Sequence, residues 1–200
     1  MTTRNGVGVA AFVAASFLAF PHLLGGRVVD LGIGVAWTVP AAFLLAVGGL
    51  GARRGALVGG IAGWLAHAAL LHWIYVVTAV YGQAPPLVGV LAPIGLALYP
   101  AAFTAVLGGA VGYLAQRRRA GPFVFAALWT ALDHGRHFVL TGFPWGVLGY
   151  AQHENGWLLG LAPYTGVMGL SFVTALGGAA LFFASGAGGV AHPRRRAALA

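Results

Sequence analysis

The chain of 200 residues contains no cysteine, no lysine and only three acids, Asp30, Asp133 and Glu154. Each absence excludes a class of chemistry. Without cysteine there is no disulfide framework, no thiol nucleophile and no thiolate metal site, and redox compartment cannot be read from thiol usage. Without lysine there is no amine base and no Schiff-base nucleophile. Charged residues make up 7% of the sequence, where an ordinary soluble domain carries roughly a quarter. A sizeable aqueous domain is therefore excluded.

What is present is apolar. Hydrophobic residues account for 60% and mean hydropathy is +0.87. A membrane-crossing helix needs about 20 apolar residues, and six runs come near that length: Val7–Leu24, Val28–Leu50, Ala56–Tyr81, Leu87–Leu114, Pro122–Leu140 and Trp157–Ala184. The expected fold is an all-α integral membrane bundle of about six helices, forming a single domain over residues 1–200 (spans 7–24, 28–50, 56–81, 87–114, 122–140 and 157–184). Turn signals separate the runs at Gly25-Gly26, Gly48-Gly49, Gly82 with Pro85-Pro86, Gly121-Pro122 and Gly142/Pro144/Gly146. The first run follows Arg4 as a signal peptide would, but its length and the lack of a small-x-small cleavage site favour a retained helix.

The net charge of +8 comes from 11 arginines confined to short clusters, which makes them topology signals and argues against a nucleic-acid surface. Six spans place Arg4, Arg53, Arg54, Arg117, Arg118, Arg119, Arg194, Arg195 and Arg196 on one side, and Arg27 and Arg136 on the other. The positive-inside rule then puts both termini in the cytoplasm. Helices in lipid associate through small residues, and Gly55, Gly59 and Gly63 on one run, with Gly108 and Gly112 on the next, read as a dimerisation stripe or, the favoured expectation, as contact between helices of one chain.

Polar residues concentrate between Trp129 and Ser171. In a helix, Trp129, Asp133 and Arg136 lie at i, i+4 and i+7, and His137 is four beyond Asp133, so one face presents an acid between donors. Ionisable groups at membrane depth need partners, so this face reads as a buried ion pair, a solvated interface, or a headgroup or catalytic site. Asp133, His134 and His137, with His153 and Glu154, resemble metal ligands by residue type. Arg136 beside them discourages a cation and the spacing matches no established zinc pattern, so no metal and no cofactor is expected. Trp73, Tyr75 and Tyr81, together with Trp145, Tyr150 and Trp157, are either interface anchors or the lining of a cleft open to lipid. His67 and His72 share that aromatic run, and Asp30 reads as a local pair with Arg27.

Phe143-Pro144-Trp145, Leu148-Gly149-Tyr150, Gln152, Leu161-Ala162-Pro163, Gly166, Gly169, Ser171 and Phe172 form an ordered pattern that resembles the membrane portion of apolipoprotein N-acyltransferase. Asp133 and Arg136 match the acid and Arg that precede the family's Gly-Phe-Pro-Trp segment, here Gly142-Phe143-Pro144-Trp145, with Asp where the family has Glu. The resemblance implies phospholipid-to-lipoprotein acyl transfer at the bacterial inner membrane. It also implies a nitrilase-like domain with a Glu-Lys-Cys triad after the membrane helices, and neither Lys nor Cys occurs here. No catalytic residue is therefore assigned. The ending Pro193-Arg194-Arg195-Arg196-Ala197 reads as an Arg loop opening another helix, so a truncated or split protein is expected. Its partners would be phospholipid, a lipoprotein substrate and a separate nitrilase-like chain, with no nucleic acid. The candidate lipid or substrate cleft comprises Trp73, Tyr75, Tyr81, Asp133, Arg136, His137, Phe143, Trp145 and Tyr150. The alternatives are a small transporter or channel using Asp133, Arg136 and His137, and a structural subunit without a ligand. Ser171, in a small-residue stretch, is expected to serve helix packing.

Overall fold

A computed structural model describes residues 2–186; the Arg194–Arg196 cluster and His192 lie outside the described residues. The chain is mostly helical. Helix α1 (Thr3–Leu18) starts at a capping box in which Asn5 N–H donates to Thr2 Oγ1 and Thr2 N–H to Asn5 Oδ1. The buried Asn5 amide then reaches across to donate to the carbonyls of Ala46 at 2.9 Å and Gly48 at 3.0 Å. Those are carbonyls at the C-terminal end of α3 (Thr38–Val47), which the helix itself leaves unpaired.

The first two apolar runs are not helical throughout. Gly25 and Gly26 both take left-handed φ values, 56° and 77°, which suits a two-residue hairpin turn. They close β1 (His22–Leu24) on β2 (Arg27–Val29), with Leu23 opposite Val28. Within a mostly helical fold, the helical reading of the run ends is corrected at His22–Leu24 and Arg27–Val29 by this short ribbon: apolar content alone does not distinguish a strand from a helix, and the glycine pair decides. A single turn, α2 (Gly32–Val35), leads into α3.

Helix α4 (Ala52–Leu70) continues through a tight turn over Leu71–Trp73 and a widened π-helical segment over Val76–Tyr81. Helices α5 (Pro86–Leu96) and α6 (Leu98–Gln116) form one bent stretch, interrupted at Ala97. Pro100, in the first turn of α6, has no amide to give the carbonyl of Leu96, so the regular ladder breaks there. After α7 (Pro122–Gly135) comes an irregular segment with short turns at Val139–Thr141 and Leu148–Gln152. The short α8 (Gly156–Leu159) precedes α9 (Ala162–Ala184), which kinks where Gly166 adopts φ 61°, ψ −166°, a conformation only glycine takes readily.

Among the described residues, three helical stretches are long and apolar enough to cross a membrane: Ala52–Trp73, Pro86–Gln116 and Ala162–Ala184. At about 1.5 Å per residue, the shortest of them, with 22 residues, reaches about 33 Å, the thickness of a hydrocarbon core. Arg4 lies against Gly48, and Gly51 against Gln116, so Arg4, Arg53, Arg54 and Arg117 gather at one end of the bundle. The hairpin and the segment after α7 sit at the other.

The bundle closes on small residues and one aromatic centre. Phe12, Phe43 and Trp129 from three helices meet edge to face, with Phe12 and Phe43 centroids 5.2 Å apart, and Phe125 of α7 packs tilted against Trp129. Along α4 and α6 the backbones themselves touch: a Cβ on Gly55 would collide with the Gly108 carbonyl, and one on Gly63 with the Thr104 side chain. The expected intramolecular glycine contact is what forms. Gly55→Leu should therefore lower stability by about 1–3 kcal/mol or more through overpacking. Gly95→Ala, where nothing lies within 4 Å of the new methyl, should leave the melting temperature unchanged or slightly raised. Thermal unfolding of the two variants in detergent checks the pair.

Candidate functional site

The segment after α7 leaves the helix at Arg136 and, apart from short turns and the four-residue α8, returns to one only at α9, so helical hydrogen bonds satisfy only part of its backbone. Asp133 and Arg136, 5% and 4% exposed, supply the partners. One Asp133 oxygen pairs with the Arg136 guanidinium. The other accepts from the Trp129 indole N–H at 3.1 Å, the Leu148 amide at 3.3 Å and the Ser171 hydroxyl at 3.3 Å. Ser171 in turn accepts from the Gly149 amide at 2.8 Å. Four donors thus converge on this carboxylate, three of them on one oxygen, and what Asp133 does here is hold donors in place.

Arg136 works in the same direction. Its guanidinium lies 3.4 Å from the carbonyls of both Trp145 and Gly146 and donates at 3.3 Å to His67 Nε2. His67 can accept there because its Nδ1 lies 2.8 Å from the Gly63 carbonyl, an acceptor only, which places the ring proton on Nδ1. The carbonyl of Arg136 accepts from the Phe143 amide at 2.8 Å, and the Tyr99 hydroxyl donates to the carbonyls of Val139 at 2.7 Å and Arg136 at 3.1 Å. Between these anchors, Leu140 and Thr141 adopt φ of 49° and 76°. Such conformations cost non-glycine residues about 1–3 kcal/mol each and persist only where the surroundings impose them. Gly142 follows at φ 84°, with the His137 carbonyl where a Cβ would stand.

The anchored loop presents aromatic rings outward. Trp145 is 51% exposed, stacks near Phe143 with centroids 6.4 Å apart, and meets Trp73 at 5.0 Å. Phe143 also meets Tyr99, at 6.4 Å. A cavity of about 40 Å³ lies behind this wall, lined by His67, Asp133, Arg136, Gly146 and apolar side chains including Phe12 and Leu107.

Of the residues singled out from sequence, the fold brings together Trp73, Asp133, Arg136, Phe143 and Trp145. His137 stands beside them but gives its Nδ1 proton to the backbone carbonyl of Asp133, at 3.1 Å, and not to the carboxylate. Tyr75 packs on Gly89 of α5, and among the described residues no ring contact joins Tyr75, Tyr81 or Tyr150 to the wall. Sequence reasoning gave no role in this network to His67, Tyr99 or Ser171. His67 is separated from Arg136 by 69 positions and Ser171 from Asp133 by 38, so no local spacing exposed them. Asp30 does not pair with Arg27 as expected: one oxygen takes the Gly32 amide at 2.7 Å and the other faces His153 at 3.2 Å.

These features define a helical membrane protein in which a buried acid–arginine pair suspends an aromatic loop at one end of the bundle. Residues 14–180 match the family model described as the apolipoprotein N-acyltransferase N-terminal domain, and the chain belongs to that family. The apolipoprotein N-acyltransferase of Geobacter metallireducens is 38% identical over 148 residues, 74% of this chain and 28% of that protein. That of Verminephrobacter eiseniae is 38% identical over 127 residues, 62% of this chain and 23% of the relative. In Azotobacter vinelandii the identity is 46% over 115 residues, 54% and 22% of the two chains. The chain thus spans about a quarter of the length of the curated relatives it matches.

Removing one member of a buried ion pair costs about 3–5 kcal/mol, so Arg136→Met and Asp133→Leu should each be strongly destabilising. A simple pair would be rescued by removing both. Here the double variant should stay destabilised by about 1–3 kcal/mol, because the Leu148 amide, the Trp129 indole, the Ser171 hydroxyl and the Trp145 and Gly146 carbonyls lose their partners. Unfolding in detergent, with limited proteolysis across residues 140–152 as a second readout, tests this.

Proposed function

We propose that these residues form the membrane platform of an apolipoprotein N-acyltransferase, transferring no acyl group by themselves. The relatives carry that enzyme's name, and its reaction, N-acylation of a lipoprotein from a phospholipid, is what this platform would serve. A thioester route needs a thiolate, and no cysteine or lysine occurs in the 200 residues. The bond-making groups then come from a nitrilase-like catalytic domain outside them, carried on a separate chain or joined to this one.

The observation that carries this reading is the wall formed by Trp73, Phe143 and Trp145 on a loop whose backbone is tied to Asp133 and Arg136. Flat rings at the end of a membrane bundle, Trp145 exposed and Trp73 and Phe143 half-buried beside it, suit contact with acyl chains and glycerol backbones, and fixing the loop keeps them presented. Asp133 and Arg136 act as positioning residues there, and His137, Tyr75, Tyr81 and Tyr150 border the same outer end of the chain. Six crossings of the bacterial inner membrane, with both ends of the chain in the cytoplasm, would put this wall on the outer face and the Arg-rich end inside.

The absence of cysteine makes the topology directly testable. Single cysteines at Gln83 and Asn155 should react with an impermeant maleimide in intact spheroplasts, while cysteines at Gly51 and Ala120 should react only after permeabilisation. Labelling of Ala120→Cys from outside would sink the six-span threading. For activity, the purified 200-residue chain in phospholipid vesicles should give no N-acylation of a diacylglyceryl-cysteine peptide, and co-expression with a nitrilase-like polypeptide should restore it. Turnover by the chain alone would overturn the platform reading.

A further inference from the structure

Two of the three acids in the chain converge on a single imidazole. Asp30 follows the hairpin and His153 and Glu154 follow the Leu148–Gln152 turn, yet Asp30 Oδ2 stands 3.2 Å and Glu154 Oε1 3.8 Å from His153 Nε2. One ligand atom from each of the three residues lies within 4.8 Å of the others. No arginine joins them: among the described residues, Arg27 forms no ion pair with Asp30, although it is three positions away.

The tautomer of His153 makes this convergence informative. Its Nδ1 lies 3.1 Å from the Tyr150 carbonyl, and a carbonyl can only accept, so Nδ1 carries a proton. In the neutral ring Nε2 is then a bare lone pair beside two carboxylate oxygens, a repulsive arrangement that either a metal cation between them or a second ring proton relieves. Donation of the distal ring proton to a backbone carbonyl is also how metal-binding histidines are oriented. Asp30 is fixed in the same way, with one oxygen held by the Gly32 amide at 2.7 Å and the other left for a ligand role. A tetrahedral zinc with bonds of about 2.0–2.2 Å separates its ligand atoms by about 3.3–3.6 Å, close to the spacings found around His153.

We infer that Asp30, His153 and Glu154 form a binding site for a divalent transition metal of the zinc class, open to solvent on the remaining coordination positions. The ion ties the segment after the hairpin to the turn that follows the aromatic loop. The two are already in backbone contact, since a Cβ on Gly32 would strike the Ala151 carbonyl. Imidazole selects zinc over magnesium or calcium, and the divalent cation supplies to the paired carboxylates the positive charge that an arginine would otherwise provide.

The test uses the full chain in detergent, stripped with chelator and titrated with zinc ion by calorimetry. The wild type should bind one more zinc per chain than His153→Ala, and Asp30→Asn and Glu154→Gln should weaken that site at least about tenfold. His72→Ala should leave it unchanged. Cobalt substituted at the site should give visible absorption bands that vanish in His153→Ala. Because Glu154 is largely exposed, Glu154→Gln keeps the fold and supplies the comparison even if Asp30→Asn does not fold. Equal zinc counts and affinities in wild type, His153→Ala and Glu154→Gln, or cobalt bands that survive His153→Ala, would overturn the assignment and leave an imidazolium bridging two carboxylates.

Discussion

Backbone amides and carbonyls that leave a helix inside an apolar bundle must find partners within the protein, since lipid offers none. In this chain the demand is greatest between α7 and α9, and a single acid–arginine pair meets much of it. Asp133 collects the donors of the returning loop and Arg136 its acceptors. Two charges that are costly to bury become useful because each has several neutral groups to serve as well as each other. The aromatic wall, the left-handed residues at Leu140 and Thr141 and the entry into α9 all depend on that arrangement.

Close helix packing is the other half of the design. The glycine contacts between α4 and α6 bring two backbones together, and with them His67 on one helix and Tyr99 on the other. His67 reaches the guanidinium and Tyr99 the carbonyls of the turn behind it. Small residues thus act on the site at a distance: they add no chemistry, but they set how closely the two helices can bring polar groups to the loop.

Some of the site was legible in one dimension. Trp129, Asp133 and Arg136 share a helical face by spacing alone, and the structure pairs both neighbours with the acid. The glycine repeats likewise announced helix contact. The ends of the helices were harder to read, because hydropathy treats Val28 in a strand and Val58 in a helix alike, and only the Gly25-Gly26 turn separates them. The choice of partner for Asp30 was harder still. Arg27 is three residues away, while His153 lies 123 positions further on, and proximity along the chain favoured the wrong cation.

From composition and order alone came the solvent this protein requires, the helical class, the helix faces that pack and the family it resembles, because burial in lipid and helical periodicity leave their marks on neighbouring residues. Tertiary structure decided which groups pair with Asp133, that Ser171 and His67 belong to its network, and that Asp30 meets His153 and Glu154. Those outcomes turn on distances between segments, and a buried polar group takes whichever partner the packed helices bring within about 3 Å of it, however far off it lies in the chain.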